Sequence, residues 1–149
     1  MTVNFTILGE PQGKERPRFA RDGGRIRTYT PKNTSDYEHR IGWEYRRKYG
    51  VKRFADDAEL CLTVRAYFSI PLKTSKPVRE KMRFGSVRPT KKPDADNILK
   101  AVADGLNSVA YRDDKQIVTA TVEKRYSEIP RVEVEVCSVN PLSGYQRKD

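Results

Sequence analysis

This sequence is poor in the residues that most often build nucleophilic and zinc centres. It has one histidine, His39, and two cysteines, Cys61 and Cys137, among 149 residues. With no second histidine and no metal-ligand spacing at the cysteines, neither a zinc centre nor a Ser/His triad is expected. His39 falls on a basic helix and reads as a bystander. The two cysteines lie in strand-like runs and read as buried, reduced thiols, which suits the cytoplasm. No Gly-rich nucleotide cradle occurs. No apolar run nears the ~18 residues of a membrane span, so no membrane partner is expected. The start, MTVNFTILGEPQGK, lacks the basic stretch and long apolar run of a signal peptide. Repeats and low-complexity stretches are absent too. The length predicts one domain over residues 1–149, large enough to bury roughly 70% of its unfolded surface without staples. Residues 142–149 read as a frayed tail.

Acid is also scarce. Lys and Arg total 30 against 20 Asp and Glu, a net charge of +10. An excess of that size favours a polyanionic partner, nucleic acid first.

Val3 to Leu8 alternates as a strand until Gly9, Pro11 and Gly13 break it. RPRFAR and RIRTYT then flank Asp22-Gly23-Gly24, a hairpin signal, within a basic segment of about residues 14–30. A helix is expected from about Thr34 to Tyr49, with Ser35 and Glu38 as a capping box and Tyr37, Ile41, Tyr45 and Tyr49 on one face. Glu59 to Ile70 alternates cleanly, as an antiparallel-type strand with one buried face. Ser75 to Arg83 predicts a short helix with Pro77 in its first turn. Arg88 to Pro93 reads as a loop. A further helix runs from Asp94 or Asp96 to Asn107, with Ile98, Leu99, Val102 and Leu106 as its apolar stripe. Gln116 to Tyr126 and Arg131 to Val139 follow as strands, with Val118, Ala120 and Val122 expected on one inner face. The order predicts an α+β fold: a small mixed β-sheet with helices mainly on one face.

Against the basic background, five carboxylates crowd into residues 91–118: Asp94, Asp96, Asp104, Asp113 and Asp114. Like charges repel, and a hard divalent cation such as magnesium would resolve the conflict through oxygen ligands. Asp94 and Asp96 lie at a helix start, where free N–H groups favour carboxylates. Asp96, Lys100 and Asp104 recur at i, i+4, i+8, one stacked row. Asp113 and Asp114 precede the next strand, and a helix–turn–strand unit can return them to the helix start. Three carboxylates from two segments could then hold one or two ions, orient a scissile phosphate and activate water. Lys100 could neutralise charge on that phosphate. Plainer alternatives stay open: an N-cap at Asp94 or Asp96, a polar turn at Asp113-Asp114, a surface ion pair between Lys100 and Asp104. A calcium loop of the EF-hand type fails, because Ile98 and Leu99 stand where a ligand and the required glycine belong.

Taken together, KPDADNILKAVADGLNSVAYRDDKQIV resembles the RusA family of Holliday junction resolvases. The family pattern, PD-x-DN-[LI]-x-K-x-x-x-D-x-L-N followed closely by DDxQ[IV], is matched from Pro93 and Asp94 through Asp104, Leu106 and Asn107 to Gln116 and Ile117. GEPQGKERPRF and TYTPK also look like the start of its longer members. The resemblance implies a RusA-like fold and a homodimeric, magnesium-dependent endodeoxyribonuclease, with manganese able to substitute. Such an enzyme nicks four-way DNA junctions symmetrically in recombination and repair. By position, Asp94, Asp96 and Asp114 would be the catalytic metal ligands and Lys100 the catalytic lysine. Asp113 is a less certain ligand, and Asn97 and Gln116 would orient the ligands or the turn.

A dimer and an open junction share a two-fold axis, so paired sites could meet paired strands. The expected DNA-binding residues are Arg16, Arg18, Arg21, Arg25 and Arg27 of the hairpin, with Arg46 and Arg47 of the first helix. Tyr29 could stack on exposed bases; for Phe19, core packing is the stronger expectation. A non-catalytic DNA-binding module, or a nuclease acting on flap DNA or RNA, remains the alternative.

Overall fold

A computed structural model describes residues 1–139; the expected tail at 142–149 lies outside the described residues. Strands β1 (Thr2–Leu8), β4 (Leu60–Ser69), β5 (Ile117–Ser127) and β6 (Arg131–Ser138) form one mixed sheet in the order β1-β6-β4-β5. Strand β6 runs antiparallel to both β1 and β4, and β4 runs parallel to β5. The β4 strand is therefore not purely antiparallel, contrary to its alternating pattern. Its parallel partner follows a long connection that carries α2 (Lys76–Phe84) and α3 (Ala95–Leu106), as parallel pairing requires.

The period-2 pattern places Val3, Phe5 and Ile7 of β1, Leu60, Leu62, Val64 and Ala66 of β4, and Val132, Val134 and Val136 of β6 in one core. Helix α1 (Lys32–Tyr49) lays Tyr37, Ile41 and Tyr45 into that core, and α3 adds Ile98, Val102 and Leu106. Each such aliphatic side chain contributes about 1.5–3 kcal/mol by burial, against a few tenths for an exposed ion pair. Packing therefore fixes where α1 and α3 sit, and with them the polar groups at their ends. Leu99, expected in the stripe, is only partly buried.

The structure departs from the expected pattern at several places. Helix α1 begins at Lys32 after Pro31, and the Ser35–Glu38 capping box does not form. The Ser35 N–H instead donates to the Pro31 carbonyl at 3.0 Å, and Glu38 is held by Lys14. In β5, a register shift beside Leu60/Cys61 brings Ile117 opposite Leu60 and leaves Val118 59% exposed. As an edge strand, β5 also leaves Ala120 exposed and Val122 only half-buried. Cys61 and Cys137 are free and half-buried rather than buried, directly opposite each other across β4 and β6. Burial, with the neighbouring Cys61, raises the Cys137 thiol above its ordinary pKa.

The last departure is the hairpin. Strands β2 (Arg18–Asp22) and β3 (Arg25–Tyr29) pair only with each other, around the expected Asp22-Gly23-Gly24 turn. Gly23 and Gly24 both have positive φ, which explains the glycines there. Nearly every residue of this ribbon is exposed. Phe19 is 73% exposed, so it is not a core residue. No helix among the described residues is long and apolar enough to cross a membrane.

Candidate active site

Pro89 and Pro93 keep the chain out of helix until Asp94, which takes the N-cap position of α3. Asp94 adopts extended backbone there, yet its carboxylate makes no hydrogen bond to a helix N–H. Asp94 and Asp96 are both exposed, and neither carboxylate has an ion-pair or hydrogen-bond partner among the described residues. The two carboxylates border an open cavity of about 740 Å³. The segment Gly13–Arg16, the first turn of α1 at Asn33 and Thr34, and Lys92 also line it. Two free carboxylates thus share one cavity with two cations, Arg16 and Lys92, that have no ion-pair partner among the described residues.

Asp114 approaches from the other side. The 3-10 turn Asp114–Gln116 follows α3 and leads into β5. The Asp114 N–H donates to Asn107 Oδ1 at 3.2 Å, which ties the turn to the end of α3. Asp114, Lys100 and Asp96 line a second cavity of about 260 Å³, walled by Leu99, Ala103 and Ile117. Asp94 lies at the larger cavity, Lys100 and Asp114 at the smaller, and Asp96 at both.

Lys100 stands 3.2 Å from Asp104 Oδ1 and 3.5 Å from Asp114 Oδ2. The other Asp104 oxygen lies 3.2 Å from Lys14 Nζ, and Lys14 is also paired with Glu38. Charges thus alternate from α1 to the turn: Glu38, Lys14, Asp104, Lys100, Asp114. The hydrogen bond that Lys100 donates to Asp104 holds its pKa above the ordinary value, against partial burial, with a lesser contribution from Asp114. Burial works against the charge on Lys14, but its two carboxylate partners outweigh it and raise its pKa. Burial also pushes the Tyr111 hydroxyl up, with Asp114, Asp104 and Asp113 adding to the effect. Tyr111 is a structural group here, its hydroxyl donating to the Ala103 carbonyl at 2.7 Å.

Asp113 is engaged by its own turn. Its carboxylate accepts from the Lys115 N–H at 3.0 Å, and this bond, with smaller help from the Asp114 side chain and Lys115, lowers its pKa. Gln116 is buried and fully used. Its Oε1 accepts from the Arg112 and Asp113 N–H groups at 3.1 and 3.2 Å, and its amide donates to the Ala55 and Ala58 carbonyls at 2.9 and 3.2 Å. Asn97 lines the larger cavity, and its carbonyl accepts from the Lys14 N–H at 2.9 Å.

The expected DNA-binding arginines separate into three places. Arg16 sits at the larger cavity. Arg18, Arg21, Arg25 and Arg27 lie on the exposed ribbon. Arg46 and Arg47 lie in the last turn of α1, about 18 Å along that helix from Thr34 at 1.5 Å per residue. Lys14, Lys92 and Asn107 were not singled out for the site. Lys92 stands beside the Pro93-Asp94 motif and Asn107 closes it, so both could have been found by position. Lys14 reaches Asp104 only through the tertiary fold.

The donor set suits a hard cation in kind, since Asp94, Asp96 and Asp114 offer oxygen alone. No three Asp, Glu, His or Cys side chains among the described residues are gathered tightly enough to enclose an ion. Asp94 and Asp96 have no partners to break before rotating inward, and Asp114 has Lys100.

Two comparisons bear on this arrangement. The chain is 35% identical over 143 residues to the uncharacterized protein YqaN of Bacillus subtilis (strain 168), covering 93% of this chain and 97% of that protein. Residues 9–137 match the family described as Endodeoxyribonuclease RusA, a span that includes the ribbon, both cavities and every residue of the charged row. The chain belongs to the RusA endodeoxyribonuclease family.

Proposed function

We propose that this protein is a divalent-metal-dependent endonuclease that resolves four-way DNA junctions by paired nicks in recombination and repair. It acts as a homodimer in the cytoplasm, where its two thiols stay reduced. One observation carries the reading: in a protein of net charge +10, Asp94 and Asp96 have no cationic partner and open onto a cavity rimmed by Arg16 and Lys92. Unpaired carboxylates beside free cations suit a site that takes a metal ion and a phosphate together.

Asp94, Asp96 and Asp114 would hold magnesium, or manganese in its place. The ion, when bound, orients the phosphate, activates water and stabilises the leaving oxygen. Arg16 and Lys92, which line the same cavity, hold the phosphodiester. Lys100 offers its ammonium to charge developing on the phosphate. Asp113 caps the turn and Gln116 locks it, so both act on geometry and not on the ion. Two such sites in a two-fold dimer meet two equivalent strands of an open junction.

The test is Asp94→Asn, assayed for binding and cutting of junction, flap, duplex and RNA substrates. Junction binding should persist while junction cutting falls by roughly 10²–10³-fold, typical of losing one charge-stabilising group. Wild-type cleavage of linear duplex as fast as of junctions would refute junction resolution. Absence of any magnesium- or manganese-dependent cleavage would leave a DNA-binding module instead.

A further inference from the structure

We propose that Asp104 is a positioning residue: it shares the Lys100 ammonium with Asp114 and so loosens that second pairing, leaving the Asp114 carboxylate more open to a divalent cation, and Lys14 sets how strongly it does so. This rests on the metal reading of the site above.

Asp104 is engaged on both oxygens, Oδ1 with Lys100 and Oδ2 with Lys14, each at 3.2 Å. Lys100 therefore stands nearer Asp104 than Asp114, at 3.2 against 3.5 Å. An exposed i, i+4 pair would leave Lys100 free to wander. Here only the lysine end is exposed: the Lys100 side chain is 56% exposed, but that of Asp104 is 20% and that of Lys14 19%, so the acid is fixed from its other side.

Lys14 is itself fixed at its base. Its N–H donates to the Asn97 carbonyl, and a Cβ on Gly13 would lie 2.8 Å from Pro93 Cβ and 3.0 Å from Asn97 Cβ. The backbone is thus pressed onto the first turn of α3, while the ammonium reaches Asp104 two turns further along.

Counting charges shows what each residue controls. Glu38, Asp104 and Asp114 share two lysines. Without the Asp104 charge, Lys14 keeps Glu38 and Lys100 has only Asp114 left, so it closes on the carboxylate that the cation needs. Without the Lys14 charge, Asp104 pulls Lys100 harder and Asp114 is released. The two substitutions therefore act on metal affinity in opposite directions, which loosened packing would not produce.

The experiment is manganese binding to the DNA-free protein, followed by electron paramagnetic resonance, with thermal melting as the check on folding. Asp104→Asn should weaken manganese binding by roughly two- to fourfold, the Coulombic effect of drawing an ammonium a few tenths of an ångström closer at a partly exposed site. Adding Lys100→Met to that variant should restore the affinity, because no ammonium remains to compete. Lys14→Met should bind manganese as well as wild type or better. Equal affinity of Asp104→Asn and wild type, or no restoration in the double variant, would overturn the inference while leaving the metal reading standing. If Asp104→Asn does not fold, weaker binding by Lys14→Met overturns it. No manganese binding by the wild type would remove the metal reading and this inference together.

Discussion

The Asp113 carboxylate accepts the Lys115 N–H at 3.0 Å, and so faces the backbone of its own turn. Its neighbour Asp114 pairs with Lys100 at 3.5 Å, and both line the smaller cavity. Two adjacent acids of the same type are thereby given different work. Asparagine caps a turn about as well as aspartate. Asp113→Asn should therefore leave both stability and cutting near wild type, while Asp113→Ala costs about 0.5–2 kcal/mol of stability through the lost cap. Asp114→Asn should lose cutting by roughly 10²–10³-fold with its melting temperature little changed. Junction cleavage and thermal melting on the three variants check this. Equal damage to cutting from Asp113→Asn and Asp114→Asn would contradict the division.

Helices α1 and α3 approach so closely that glycine is required between them. A Cβ on Gly105 would lie 2.9 Å from Ile41 Cβ and 3.1 Å from the Glu38 carbonyl oxygen. From the other side, a Cβ on Gly42 would lie 3.2 Å from the Gly105 carbonyl oxygen. Neither obstacle at Gly105 is the end of a flexible side chain, so the helices must part to admit a methyl group. Gly105→Ala should cost about 1–3 kcal/mol, the usual range for overpacking. At this size each kcal/mol lowers the melting temperature by about 2–4 °C. A melting temperature equal to or above wild type would show that the helices can separate freely.

Much of this fold could be read from local pattern, and the failures share a cause. Tyr37, Ile41 and Tyr45 recur every four residues, and Leu60, Leu62, Val64 and Ala66 alternate, because one face of each element is buried. The Ser35–Glu38 signal failed because the helix starts earlier, at Lys32 after Pro31, which puts Ser35 inside it, and Lys14, distant in sequence, takes the Glu38 carboxylate. The inner face expected for Val118 failed because a register shift in an edge strand turns that residue outward. In the site, helical spacing gave the Asp96, Lys100, Asp104 row, and Lys100 does pair with Asp104. It could not show that Lys14 occupies the second Asp104 oxygen. Nor could it distinguish Asp113 from Asp114, since only the folded turn decides which carboxylate points back to the backbone. Local periodicity reports burial; partners brought in from elsewhere in the chain leave no period.

The exposed ribbon gives the last prediction. Cross-strand pairing puts Arg18 with Tyr29 and Ala20 with Arg27 on one face, and Phe19 with Thr28 and Arg21 with Ile26 on the other. Phe19 and Ile26 are 73% and 69% exposed, beside arginines of which only Arg18 has an ion-pair partner among the described residues, Glu15. Such a surface suits a polyanion that also offers unstacked bases, as a branch point does. Phe19→Ala should change folding stability by less than about 0.5 kcal/mol, because the ring touches no core. Stacking on a base is worth about 1–3 kcal/mol, so junction affinity should fall by roughly five- to 150-fold. The salt dependence of binding should stay the same, since no charge is removed. Arg21→Ala should instead lower the salt slope by about 0.9, because one phosphate is no longer neutralised. Binding titrations over a salt series separate the two effects, and sedimentation of the Phe19→Ala variant supplies the control. A variant that binds junctions normally but no longer dimerises would assign Phe19 to the interface between two copies of the chain and not to DNA.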